Sequence, residues 1–297
     1  MEKTLKAKSL LFILLCGLCW GPSYLFIKIA VVEIPPITLV LGRVAIASLI
    51  LFVLCLIQKQ KILAWTSHWK HFVILGITLN VLPFCLISFG EVYISSSLAG
   101  ILNSLTLIFT AILGHFFGMR DPLNKNKILG ISAGLVGLAI IYLPLVVQGK
   151  LGGALGAFLL VLACLSYGCG TVYARMNLQK IPGTVLLTAQ LFIATLILIP
   201  ISLFVDAPYN LPVPSLESIL SVIALSLIGT VGGFLFYYKA IQLAGSTYAS
   251  LSVLLTPILA IILGFLFLHE ELSWNMYLGT FFILTGIITV NPISLKT

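Results

Sequence analysis

Charge is what this sequence has least of. Asp, Glu, Lys and Arg together make up 8% of its 297 residues, and 60% are hydrophobic. No soluble domain of this size is so poor in charge, so the bilayer is the expected solvent. The net charge of +8 reflects 16 basic against 8 acidic groups. The basic ones sit in short segments between apolar runs, not in the stripe or module of a nucleic-acid binder, so no nucleic-acid partner is expected. Enzyme signatures are missing too. There is no Gly-rich phosphate loop, no His/Cys metal spacing and no G-x-S-x-G elbow. No catalytic residue, metal or cofactor is therefore expected. His269-Glu270-Glu271 lacks the second cluster a metal site needs. The six cysteines all lie in apolar runs, where a thiol acts as a small hydrophobe. Cys16-x-x-Cys19 lacks the context of a redox or zinc site. No carboxylate lies deep in any apolar run, Glu91 coming nearest at the edge of one. Proton-coupled export of cationic drugs commonly rests on an embedded acid, so that chemistry is disfavoured. A cation site built from aromatic faces stays open.

Long apolar runs are abundant. A helix needs about twenty apolar residues to cross a bilayer. Ten candidate runs cover roughly 9–31, 37–57, 70–90, 94–118, 127–146, 154–174, 182–204, 217–237, 246–268 and 273–291. The first follows Lys3, Lys6 and Lys8 as a signal peptide would. It continues past Trp20 and Tyr24 to Val32 without a cleavage site, and so reads as an uncleaved helix. With the N-terminus in the cytoplasm, Lys59, Lys61, Lys70, Arg120, Lys125, Lys127, Arg175, Lys180, Lys239 and Lys296 also fall inside. Only Lys28 and Lys150 fall outside. That bias predicts cytoplasmic N- and C-termini.

The chain is also written twice. Ile34-Pro35 recurs 147 residues later as Ile181-Pro182; at the same shift Trp20-Gly21 meets Tyr167-Gly168, Lys28 meets Arg175 and Arg43 meets Gln190. Further along the shift is 150: Ala99 meets Ala249, Thr106 meets Thr256 and Gly114 meets Gly264. Each half, 1–147 and 148–297, holds an odd number of runs, so the two must lie upside down relative to each other. The expected fold is all-α integral membrane: ten transmembrane helices as two inverted five-helix repeats. Carriers so built bind substrate at the repeat interface near mid-bilayer.

Polar groups at matched depths are the candidate site. Trp20-Gly21-Pro22 and Tyr167-Gly168 are central in the first and sixth runs. They line a cavity or pack helix against helix. Tyr24 stands one turn beyond Trp20. Asn80 and Thr230 are equivalent in the third and eighth runs. Asn103 lies in a stripe of small residues in the fourth, and Thr256 flanks the matching stripe of the ninth. An amide at that depth needs a partner or water. Arg43 is the one basic side chain well inside a run. It fits a substrate carboxylate, an ion pair with Glu91, or snorkelling to the headgroups. Lys28, nearer its run's end, reads as snorkelling. His115 near the inner end of the fourth run is a weaker candidate, for a proton relay.

The assembled pattern resembles the EamA family of the drug/metabolite transporter superfamily. The carrying residues are Trp20-Gly21, Lys28, Arg43 and the second-half sequence Ala244-Gly245-Ser246-Thr247-Tyr248-Ala249-Ser250, Thr256-Pro257, Leu268-His269-Glu270-Glu271-Leu272, Gly279 and Gly286. In the first half Leu107 stands where that family often has proline, which leaves the bending of the fourth run open. Gly118-Met119-Arg120-Asp121 replaces its usual Gly-Glu end. The resemblance implies a central cavity in a bacterial inner-membrane carrier, with a monomer sufficient for the pathway. The expected function is alternating-access transport of a small polar metabolite, an amino acid or related zwitterion. Trp20, Tyr24, Arg43, Asn80, Asn103, Tyr167, Thr230 and Thr256 are the expected substrate contacts. A carrier for quaternary ammonium or sulfonium compounds in an aromatic cage is the first alternative. A non-transporting membrane scaffold is the second.

Overall fold

The computed structural model describes residues 2–60, 67–117 and 124–290, with side chains from residue 8 onward apart from 246–248. Lys61, residues 118–121 and Lys296, and the side chains of Lys3, Lys6 and residues 246–248, thus lie outside the described residues. All regular structure among the described residues is helical. Among the described residues, eight helices are long and apolar enough to cross a membrane: α1 Lys8–Ala30, α2 Pro36–Ile57, α3 Trp69–Tyr93, α4 Ser96–Phe116, α5 Lys125–Val147, α6 Leu151–Asn177, α7 Gly183–Asp206 and α8 Leu216–Gly245. Two apolar helices are shorter, α9 Ser252–Leu268 and α10 Trp274–Val290. The ninth run starts later than its hydropathy suggests. Gly245 takes a left-handed φ of 83°, and Ser250 and Leu251 form a turn before regular helix resumes.

The helix starts follow local chemistry. Pro35 and Pro182 take nearly the same extended conformation before α2 and α7 (φ −55° in both). Ser95, Asn124 and Ser215 cap α4, α5 and α8 by accepting a backbone N–H of the first turn. The interruptions are equally local. α1 breaks at Gly21 and Pro22, where the ring removes a donor. α4 breaks at Ser104 and Leu105 with no proline there: their amides bond three residues back, to Ile101 and Leu102. The missing proline at 107 therefore does not keep this helix straight. α3 and α8 each contain a π-turn, at Ile77–Val81 and Leu225–Gly232. Pro83 accounts for the first, since it cannot bond back to residue 79 and crowds that carbonyl.

Small residues let these helices pack closely. A methyl group on Gly21 would strike Leu259 of α9, and one on Gly229 or Gly233 of α8 would strike Ser23 or Trp20. The first helix of the chain therefore lies against α8 and α9. α6 lies in the same way against α3 and α4. A Cβ on Gly168 would come 3.3 Å from the Phe109 and Thr110 backbone, and one on Gly170 would meet Leu79 and Thr78. Ser166 donates to the Thr78 carbonyl that the π-turn frees (2.8 Å). α5 and α10 make the closest contact, with Gly130 against Gly286 and Gly137 against Gly279.

One end of the molecule gathers the loops 31–35, 94–95, 148–150, 207–215 and 269–273. Three carboxylates tie it together, and each crosses between residues of the first and second halves. Glu33 accepts from the Ser215 amide and hydroxyl and from Ser218 at the start of α8. Asp206 accepts from the Thr38 amide and hydroxyl at the start of α2. Glu270 accepts from the Ser96 and Ser97 amides and the Ser97 hydroxyl at the start of α4. Helix N-termini present unsatisfied N–H groups and a positive dipole end, which is why carboxylates settle there.

Candidate functional site

The centre is built around Arg43. α2 carries it inward until only 6% of the residue is exposed, so it does not snorkel. Its Nε donates to Thr230 Oγ1 at 2.9 Å, and its guanidinium carbon stands 3.7 Å from the centroid of the Phe84 ring. A guanidinium is weakly hydrated and stacks well on an aromatic face, which makes this burial tolerable. Thr230 sits in the π-turn of α8. Its hydroxyl accepts from Arg43 and donates to the Leu225 carbonyl five residues back (3.2 Å). Phe84 meets Tyr167 edge-on, with ring centroids 6.4 Å apart. Tyr24 is buried, leans on Gly100 of α4 and lies within the electrostatic reach of Tyr167, Arg43 and Glu91. Of the eight expected contacts, Tyr24, Arg43, Tyr167 and Thr230 thus form one group.

The other four are placed elsewhere. Asn80 occupies the π-turn of α3 as Thr230 occupies that of α8, and it too bonds five residues back, to Leu75 (3.4 Å). Its neighbour helix is α7, which carries Gln190. The side-chain carbonyls of both amides are buried without a donor. Asn103 lies at the break of α4, half-buried, with its side-chain oxygen unpartnered. The Cys164 thiol donates to the carbonyl of neighbouring Leu102. Thr256 is buried and turned back on the Ser252 carbonyl of its own helix. Trp20 belongs to a second aromatic group, 5.6 Å from Phe234 and 5.2 Å from Tyr237, with Tyr238 beyond.

Phe84, Phe234, Tyr237 and Tyr238 were not among the expected contacts. Their signal lay in spacing: Phe84 is one turn past Asn80, and the three others follow Gly232-Gly233. Two further expectations change. Lys28 does not snorkel but donates to the carbonyls of Glu91 and Ile94 (2.6 and 2.7 Å), which have lost their intrahelical donors at the end of α3. Glu91 is at the end of its helix as expected, yet it is enclosed by protein, and neither carboxylate oxygen has a hydrogen-bond partner. It is not the ion-pair partner of Arg43.

A groove of about 370 Å³ opens at the carboxylate-tied end, between Glu33, Thr38 and Gly42 on one side and Pro212 and Val222 on the other. It is lined mostly by apolar residues, and Arg43 is not among them.

The sequence profile of the EamA-like transporter family matches residues 7–143 and again 154–291. The chain belongs to the EamA-like transporter family. It is a multi-pass membrane protein of a family of transporters, and similar proteins align along nearly its whole length. It is 25% identical over 284 residues to the "Uncharacterized transporter YoaV" of Bacillus subtilis (strain 168), covering 94% of this chain and 95% of that one. It is 26% identical to an "Uncharacterized transporter" of Archaeoglobus fulgidus, over 91% and 94% of the two chains. It is 25% identical to "Protein PecM" of Dickeya dadantii (strain 3937), over 98% and 94%. A solved protein structure shares the fold with a TM-score of 0.65 at 15% identity, covering 95% of this chain and 96% of that one.

Proposed function

We propose that this EamA-like transporter carries an amino acid or related zwitterion across the bacterial inner membrane by alternating access between two inverted five-helix halves, its termini in the cytoplasm. The observation that carries the substrate reading is the buried guanidinium of Arg43. Thr230 engages Nε and Phe84 covers one face. The fork of terminal N–H groups, which Thr230 leaves unused, suits a carboxylate in bidentate fashion. Tyr24 and Tyr167 complete a wall that tolerates both apolar and cationic parts of a ligand.

Exchanged contacts support the two-half reading. Gly21 packs on Leu259 and Gly168 on Phe109, which are equivalent pairs under the sequence repeat. Gly130 meets Gly286 while Gly137 meets Gly279, the pattern of a self-complementary two-fold contact. The matched π-turns of α3 and α8 fit the same symmetry. The second aromatic group, Trp20 with Phe234, Tyr237 and Tyr238, favours one other reading, a quaternary ammonium ligand held against ring faces.

Arg43→Lys separates the two. A point ammonium cannot reproduce the planar fork, so uptake of carboxylate-bearing amino acids into proteoliposomes should fall about tenfold or more at normal folded protein, the size of one charge-assisted bond lost. Normal uptake by Arg43→Lys and Arg43→Gln would make Arg43 structural. Uptake of choline-type cations, which carry no carboxylate, that depends on Trp20 instead would install the second reading.

A further inference from the structure

Among the described residues, Glu91 is a carboxyl fully enclosed by protein. It stands in the last turn of α3, 0% exposed, with both carboxylate oxygens unpartnered. The cations that act on it make no hydrogen bond to its carboxylate: Lys28 donates to the Glu91 and Ile94 backbone carbonyls, and Arg43 donates through Nε to Thr230 and stacks on Phe84. An ionised carboxylate in that position would lose its hydration and gain no bond in return, whereas a neutral carboxyl escapes most of that penalty. We propose that Glu91 carries a proton in this state and forms a cation-binding subsite of the transport centre, taking the ammonium end of a zwitterion whose carboxylate lies on Arg43.

The exchange balances as written: the carboxylic acid and an arriving R–NH₃⁺ become a carboxylate–ammonium pair and a released proton. Net charge at the subsite is unchanged, which is what a dry site needs. Phe84, which stacks on Arg43, stands two turns before Glu91 on the same face of α3, so the two subsites lie along one helix face. The charged groups that act on Glu91 are Lys28 on α1, Arg43 on α2 and Glu270 of the loop after α9; Tyr24 on α1 feels Glu91 as well, and the packed helix α6 carries Cys164 and Tyr167 in its middle. Residues 96–103 of α4 and the π-turn of α3 contribute none. Glu270 is occupied at the start of α4, so Glu91 is the carboxyl in this set without a hydrogen-bond donor.

The proposal rests on the carrier reading of the Arg43 centre, and its test can fail separately. On the purified full-length protein, infrared spectroscopy at neutral pH should show the C=O stretch of a protonated carboxylic acid, absent in Glu91→Gln. Gln is the shape-matched neutral replacement and should fold; Glu91→Asp, which keeps the acid, should retain a shifted band. Tetramethylammonium should raise the melting temperature more as pH rises, because protons and cation compete for one site. In the competing range its apparent affinity should change about tenfold per pH unit, by linkage, and Glu91→Gln should abolish that dependence. Two results would each overturn the proposal: no Glu91-dependent acid band, or a cation response in Glu91→Gln identical to that of the unaltered protein. Competition that persists while no amino acid is transported would uphold the Glu91 subsite and defeat the carrier reading instead.

Discussion

The contact between α5 and α10 offers a sharp quantitative test. A Cβ at Gly137 would stand 2.6 Å from the Gly279 carbonyl oxygen, and one at Gly130 would stand 2.6 Å from that of Gly286. Ordinary contact begins near 3.4 Å. The atom in the way is backbone and cannot rotate aside, so alanine must push the helices apart by most of an ångström. A gap of that size forfeits a quarter to a half of each neighbouring dispersion contact, and overpacking of this kind costs about 1–3 kcal/mol. Alanine's better helix propensity returns at most about 1 kcal/mol. Gly137→Ala should therefore lose about 1–2 kcal/mol, seen as a melting temperature lower by several degrees in detergent or nanodiscs. Gly152→Ala is the control, because its Cβ would meet only Tyr93 at 3.4 Å. It should melt unchanged or slightly higher. Pairing Gly137→Ala with Gly279→Ala should cost less than the sum, since the first change already opens the contact the second would block. Equal melting of Gly137→Ala and Gly152→Ala would refute the close packing of these helices.

Trp20→Ala, Tyr167→Ala and Asn103→Ala should each weaken substrate binding by folded protein, the aromatic losses by at least about 1 kcal/mol or several-fold in Kd; isothermal titration with unchanged Kd in all three would move the pathway elsewhere. Reporter fusions after Lys61, Lys125 and Lys180 should read cytoplasmic and those near Gly149 and Asn210 external; an external C-terminus would break the inverted-repeat argument. The Ser215 and Ser218 hydrogen bonds hold the exposed Glu33 carboxyl below its usual 4.5. A lowered acid stabilises the folded state above its unfolded value and loses that contribution as pH falls through its folded one. Acid melting curves should therefore steepen below about pH 4.5 in the unaltered protein and flatten slightly in Glu33→Gln; superimposable acid limbs would show that the tie carries no stability.

Helix positions were legible because length and hydropathy suffice for apolar spans, and the break in α1 announced itself as Gly21-Pro22. The break at Ser104 and Leu105 did not, since nothing in those two residue types forbids helix. The π-turns were hidden for the same reason, although Pro83 marks one of them in retrospect. Arg43, Tyr167 and Thr230 were found by their depth along the chain. Their union was not, because it depends on contacts across some 190 residues. Glu91 shows the limit most clearly. Distance from the end of an apolar run measures depth along one helix, whereas enclosure depends on which neighbours cover that end, here α1, α2 and α6.

The three carboxylate ties at the loop end set an energetic scale for opening. Water can replace a carboxylate at a helix N-terminus at modest cost, so each bond of the half-buried Asp206 and Glu270 is worth a net of roughly 1 kcal/mol. Their five bonds together hold that end by no more than about 5 kcal/mol. Turning a 1:99 equilibrium into 99:1 takes about 5.5 kcal/mol of differential binding. In the alternating-access cycle proposed above, ties of that strength would keep an empty carrier closed at this end and still yield to one well-held small molecule.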